Sequence, residues 1–303
     1  MQEPYFSELD NYEVLALLGK GSSSEVYLVK ERLTGKHFAM KVSEDTALLG
    51  KESALLQQVS EAIRVPGERH VSGGMQVPGG EQVFGSRFPR WKSFFQADKA
   101  YLIMEYIEGI TLQAYLDRFG AVQPRLAKGI MKEILEALSQ LHNRQPPVIY
   151  RDLKPENIMI EKNGRIRLVD LGAAAATNYR AGSYGYASPE QFWEGSKIGP
   201  ESDLYAAGKI LAFLLTGKDP CQPPYDMLQY SEKDKRISAE VYRILQRSLA
   251  ADRMGRYESV EMFQKELEEA VKDNKRRKWK RAQKKQKIAY EKCVWKSEYQ
   301  RTS

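Results

Sequence analysis

The sequence predicts an α+β chain arranged in two lobes, strands first and helices after. Three observations support that class. Up to about residue 107 the apolar pattern reads mainly as strands bounded by glycine-bearing turns, whereas after Gly109 it turns helical. A chain of 303 residues is long for one hydrophobic core, so two units are expected. The composition, 42% hydrophobic and 29% charged, is that of an ordinary soluble globular protein.

The elements follow in order. After a lead-in over residues 1–10, "YEVLALLG" and "SEVYLVKE" read as strands flanking the turn "GKGSSS", and "KHFAMKV" follows a second turn, "LTG". Residues 46–63 carry apolar side chains at helical spacing despite Gly50. Residues 64–86, rich in Gly with two Pro, read as a surface loop or flexible insertion. "YLIMEYI" resumes as a strand, and the chain crosses between lobes near residues 105–109. Residues 124–143, 202–216, 238–249 and 258–272 have amphipathic helical patterns. The first lobe is therefore expected over residues 11–107 and the second over 108–272, with a tail at 273–303.

The net charge of +7 is unevenly placed. Residues 272–287, KDNKRRKWKRAQKKQK, hold ten Lys/Arg against one Asp, a local +9, so the remainder carries −2. The high pI belongs to the tail, and a nucleic-acid-binding body is not expected. Trp279 and Trp295 among the lysines suit a basic helix lying on anionic membrane, contacting nucleic acid or docking on an acidic protein partner, and a solvated helical extension suits them as well. Cys221, Cys293 and three histidines form no zinc or disulfide pattern, which favours a reducing, cytoplasmic setting. The acidic start MQEPYFSELDNY has no secretory-signal pattern, and the apolar runs are too short to span a bilayer; a juxtamembrane piece of a longer protein remains an alternative for the tail.

Several short motifs carry chemistry. Gly19, Gly21 and Ser24 occupy the positions of a G-x-G-x-x-G loop, with Ser as the third small residue. Small residues let backbone N–H groups approach phosphate oxygens. The loop lies between two strands, which argues against a dinucleotide fold; a plain hairpin turn explains the stretch alone equally well. Lys41 is a cation in an apolar strand, either an edge lysine reaching water or one held by Glu52, eleven residues on. In "VIYRDLKPENIMI", Asp152 and Asn157 flank Lys154, and Asp170 opens "DLG" after the strand-like "RIRLV". Two oxygen donors on neighbouring loops are what Mg²⁺ takes when phosphates complete its shell, and a further carboxylate could accept a hydroxyl proton. Each of these alone is equally a turn or cap residue.

Taken together and in order, these motifs resemble the eukaryotic-type (Hanks-type) serine/threonine protein kinase family over roughly residues 11–272. "YRDLKPEN" is similar to its catalytic loop, "DLG" to DFG and "SPE" (188–190) to APE. "VIYRDLKPENIMI" and "GYASPEQF" read most like the bacterial branch. The resemblance implies a bilobal fold: an antiparallel N-lobe sheet with one main helix, and a mostly helical C-lobe. It implies ATP with Mg²⁺ or Mn²⁺ as cofactors and Ser/Thr-bearing proteins, this chain included, as substrates.

Residue by residue, Lys41 paired with Glu52 would hold the α- and β-phosphates, Asp152 would take the hydroxyl proton, and Lys154 would stabilise the transferring phosphoryl group. Asn157 and Asp170 would bind the metal. Met104 would be the gatekeeper, backbone at Glu105 and Ile107 would meet adenine, and Val26, Ala39 and Met159 would face the ring. Arg151 would pair with a phosphate in the segment 170–190, with Thr177 as the regulatory site and Ser183 positioning substrate. Glu190 with Arg256 matches a buried ion pair, and Asp203 matches an anchor of the catalytic loop. Tyr150, Leu171 and Ser24 depart from the family pattern without removing a charged group. A scaffold that binds partners without transfer, and a small-molecule kinase of the aminoglycoside or choline type, are the rival readings. The intact Lys41, Asp152, Asn157 and Asp170 argue against the first, and "LKPEN" with "SPEQ" against the second.

Overall fold

The computed structural model describes residues 8–21, 23–60, 63–65, 75–76, 82–84, 86–176, 183–223 and 227–270, with 63–65, 75–76 and 82–84 given as backbone alone. The first lobe is built on strands β1 (Tyr12–Lys20), β2 (Ser24–Glu31) and β3 (His37–Ser43), then helix α1 (Thr46–Ser60). Three short strands follow, β4 (Ile63–Val65), β5 (Met75–Gln76) and β6 (Gln82–Phe84), and then β7 (Trp91–Gln96) and β8 (Ala100–Glu105). The main sheet has the order β1-β2-β3-β8-β7, every pair antiparallel.

Strand alternation sorts its side chains onto two faces. Val29, Met40, Tyr101 and Ile103 form a small cluster on one face, while Ala39, Leu102 and Met104 join the main core on the other. Lys41 therefore shares a face with Ala39, which is why a cation in an apolar strand ends up pointing between the lobes. Helix α1 buries Leu49, Glu52, Ser53, Leu56 and Val59, a single stripe at helical spacing, and packs it against β7 and β8. An acidic side chain inside that stripe needs a partner to offset its desolvation.

The segment 64–86, expected as a loop, contains backbone pairing: β4, β6 and β5 form a separate three-stranded antiparallel sheet. Glycine and proline content concealed it, because short strands with Val65 and Val83 alternate with turn residues too frequently to show a period.

The second lobe opens with β9 (Gly109–Thr111), α2 (Leu112–Phe119) and α3 (Pro124–His142). A Cβ at Gly109 would lie 2.1 Å from the carbonyl oxygen of Ile160, so only glycine permits this approach of the strands. Strands β10 (Ile158–Glu161) and β11 (Ile166–Leu168) complete a sheet of order β11-β10-β9. The chain continues through the single turn α4 (Gly172–Ala175), α5 (Pro200–Thr216), α6 (Met227–Lys233) and α7 (Ala239–Ser248), and residues 260–270 are helical. Helix α5 is apolar nearly all round and packs against α3, α6 and α7 at the centre of the lobe. Helices α4 and α6 lack a legible period in the sequence; both are too short to show one. No helix of the described residues is long and apolar enough to cross a membrane.

Candidate active site

The cleft between the lobes collects groups from five separate segments. The Lys41 ammonium, 6% exposed, lies 2.8 Å from both carboxylate oxygens of Glu52 and 2.8 Å from Oδ1 of Asp170. Burial acts to lower the pKa of Lys41, but the two carboxylates outweigh it and raise it. Burial raises that of Glu52 against the pull of Lys41, while for Asp170 the same cation overcomes burial and lowers it. Glu52 also accepts from the Leu171 amide at 3.2 Å, which ties α1 to the DLG segment. Gly172 donates its amide to Asp170 Oδ1 at 3.0 Å. A Cβ there would stand 3.1 Å from that oxygen and 3.3 Å from Glu52 Oε2, so the residue leaves room for the triad.

Across the cleft, Asn157 donates through Nδ2 to the carbonyl of Asp152 at 2.9 Å and to its Oδ2 at 3.1 Å. Lys154 stands 2.9 Å from Asp152 Oδ2, and the pair raises the lysine pKa against burial. Ser183 donates its hydroxyl to Asp152 Oδ1 at 2.7 Å and accepts from Lys154 at 2.6 Å. A hydroxyl is thus held between a carboxylate and an ammonium. A cavity of about 300 Å³ is lined by Gly21, Ser24, Lys41, Asp152, Lys154 and Asp170, among others. A wider groove along α3, about 1320 Å³, lies near Gln58, Arg87 and Gln140 and shares no residue with this cluster.

The apolar candidates sit beside the charged ones. Val26 pairs with Lys41 and Ala39 with Met104 across neighbouring strands, and Met159 pairs with Thr111 at the floor. Ala39, Met104 and Ile107 are buried, and Ile107 makes no backbone hydrogen bond to another described residue. Gly19 lies opposite Val26 in the β1–β2 hairpin, and Gly21 donates to the Ser24 carbonyl at 2.8 Å.

The loop bearing Asp152 is anchored from below. Asp203, 1% exposed, accepts from the amides of Tyr150 and Arg151, each at 2.8 Å. His142, at the end of α3, places Nε2 2.7 Å from the same carboxylate, a contact that sequence reasoning missed because a histidine in a last helical turn reads as an ordinary cap. Tyr150 is fully buried and donates its hydroxyl to the carbonyl of Val169, next to Asp170. Arg151 donates to the carbonyl of Ala176. Both Arg151 (φ 66°) and Asp170 (φ 69°) adopt the left-handed region. Thr177 lies outside the described residues. Farther off, Arg256 meets Glu190 through two hydrogen bonds, at 2.7 and 2.9 Å.

Asn157 and Asp170 fit a hard divalent cation by donor chemistry. The Asn157 amide nitrogen is engaged, leaving its oxygen as the remaining donor atom, and the bonds to Asp170 converge on Oδ1, leaving Oδ2. Among the described residues no group of three or more His, Cys, Asp or Glu could hold a metal alone, so phosphate oxygens would have to supply the rest.

A family description, the protein kinase domain, matches residues 12–301. The chain is 30% identical over 252 residues to sperm motility kinase 2A of Mus musculus, covering 80% of this chain and 45% of the relative. It is also 30% identical to mitogen-activated protein kinase kinases 2 and 1 of Arabidopsis thaliana, over 223 and 235 residues. Those matches cover 71% and 73% of this chain, and 56% and 60% of the relatives. The chain thus spans about half the length of the curated relatives it matches.

Proposed function

Because this chain belongs to the protein kinase domain family, we propose that it transfers the γ-phosphoryl group of ATP to Ser/Thr hydroxyls of proteins, its own included. The observation that carries this reading is the convergence of Lys41, Asp170, Asn157, Asp152 and Lys154 on one cleft. Lys41, braced by Glu52, holds phosphate oxygens; the backbone of Gly19, Gly21 and Ser24 covers them; Glu105 and Ile107 meet adenine among Val26, Ala39, Met104 and Met159. Asn157 and Asp170 would hold Mg²⁺ or Mn²⁺, which neutralises charge developing on the phosphoryl oxygens.

Asp152 and Lys154 then handle the acceptor. The Ser183 hydroxyl supports this reading of the seat: it donates to Asp152 Oδ1 and accepts from the Lys154 ammonium. An incoming Ser or Thr hydroxyl in that environment loses its proton to Asp152 as its oxygen bonds to the γ-phosphorus and the bond from that phosphorus to the β,γ-bridging oxygen breaks, releasing ADP, while Lys154 stabilises the transferring phosphoryl group. Lys154, two residues past Asp152, supports Ser/Thr over Tyr specificity. Arg151 is proposed to receive a phosphate placed on Thr177. The phrases "VIYRDLKPENIMI" and "GYASPEQF" support a bacterial Ser/Thr branch, although the relatives quoted above come from mouse and a plant. A cytoplasmic setting, with the tail 273–303 on anionic membrane or an acidic partner, completes the proposal.

The test is transfer of labelled γ-phosphate by wild type beside Asp152→Asn, with phosphoamino-acid analysis. Label on Ser/Thr, falling on the order of 10²–10⁴-fold in the variant, is the expected result. Intact nucleotide binding without transfer in wild type would favour a partner-binding scaffold instead.

A further inference from the structure

Sequence reading assigned Arg167 no role, since in "RIRLV" it is one charged residue in a short strand. In the fold it is 6% exposed and joins three segments. Nη1 lies 2.9 Å from Oε1 of Glu161 on β10, Nη2 lies 2.7 Å from Oε2 of Glu105 at the end of β8, and Nη2 also donates to the carbonyl of Phe88. Glu161 belongs to the second lobe; Glu105 and Phe88 belong to the first. A single guanidinium therefore spans the junction beside the crossing segment.

Glu105 is held from the first lobe as well. Its Oε2 accepts from the Arg90 amide at 3.0 Å, and its own amide donates to the Arg90 carbonyl at 2.8 Å. One carboxylate oxygen thus receives a donor from each lobe. Burial alone would raise the Glu105 pKa, yet the bond from Arg167 and the charge behind it hold it low, so the carboxylate stays ionised at neutral pH. The strap continues at Arg87, whose carbonyl accepts from Leu168 at 2.8 Å and whose side chain meets Glu133 and Glu136 on α3.

We propose that Arg167 is a positioning residue that sets the crossing segment from behind, fixing Glu105 and Ile107 where they meet the base of the nucleotide. This rests on the kinase reading of the cleft. Arg suits the task because its planar fork addresses several acceptors at once, which a lysine cannot do. The consequence is selective. Loss of the clamp lets the backbone at 105–107 shift against the Gly21 loop, while Asp152, Lys154 and Asn157 keep their own contacts.

The test uses the full chain, titrated with Mg·ATP, as wild type, Arg167→Leu, Glu105→Leu, the double variant and Glu105→Gln. Each single leucine variant is expected to weaken nucleotide binding roughly tenfold, the scale of one lost oriented hydrogen bond, with the double variant no worse than either. KM for ATP rises in step, while kcat at saturation of Arg167→Leu stays within about twofold. A merely structural role would instead lower the melting temperature and active fraction at unchanged KM. Faster amide hydrogen exchange at 105–107 in nucleotide-free Arg167→Leu supports the clamp independently. If the leucine variants do not fold, Glu105→Gln decides: a severalfold weaker Kd supports the proposal, and the wild-type Kd overturns it. Wild-type nucleotide affinity in folded Arg167→Leu overturns this proposal alone. A wild type that binds no nucleotide overturns it together with the kinase reading.

Discussion

Arg256→Ala tests the buried ion pair with Glu190. Arg256 is 1% exposed and makes two hydrogen bonds to Glu190, one to the carbonyl of Ala250 at 2.8 Å and one to that of Ala251 at 3.0 Å. Its guanidinium also sits 4.7 Å from the ring of Tyr205. Truncation leaves Glu190 buried with Ser202 as its remaining side-chain donor, at 2.7 Å. Removing one partner of such a pair costs about 3–5 kcal/mol. A second route gives a similar figure. Burial would raise the Glu190 carboxyl, but the hydrogen bonds from Arg256 and Ser202 hold it at about 2 against an ordinary 4.5, which corresponds to about 3 kcal/mol in all, Ser202 keeping its share in the variant. At roughly 2–4 °C per kcal/mol, the melting temperature should fall by about 10 °C. Because the folded value is depressed, this stability is present above pH 4.5 and is lost as pH falls through about 2. The wild-type advantage over the variant in urea melts should therefore shrink between those limits. An Arg256→Ala protein with wild-type melting and normal urea midpoint, whatever its activity, would refute the reasoning.

Three further outcomes are expected. Glu52→Gln keeps an acceptor for Leu171 but removes the charge bracing Lys41, so kcat/KM for ATP should fall about 10–100-fold in steady-state assays with little change in melting. Asp203→Leu leaves the amides of Tyr150 and Arg151 and the ring of His142 without their acceptor; it should lose on the order of 3 kcal/mol in denaturant titrations, and a neutral result would show the anchor to be dispensable. Deleting residues 273–303 should abolish co-sedimentation with anionic but not neutral liposomes, and undiminished sedimentation would remove the membrane role of the tail.

Much of the candidate cleft was legible because its groups lie in short motifs whose order the chain preserves. Lys41 and Asp170 are 129 residues apart yet meet at 2.8 Å, and Glu52, legible as a partner eleven residues past Lys41, is 2.8 Å from the same ammonium. What escaped is of a different kind. Arg167 finds Glu105 62 residues upstream, and His142 finds Asp203 61 residues downstream. Neither pair has a periodic signature, since ordinary charged residues acquire partners only when the tertiary fold turns them toward each other. The sheet of β4, β6 and β5 escaped because strands of two or three residues fall below the length at which alternation can be recognised.

The left-handed backbone at Arg151 and Asp170 has a consequence for how a ligand meets this cleft. Such conformations cost about 1–3 kcal/mol each outside glycine, and here the surrounding hydrogen bonds bear that load when the chain folds. On the proposed reading, an arriving nucleotide finds both bends already made. Its contact energy is then free to show up as affinity or as stabilisation of the reacting state, instead of being consumed in moulding the loops.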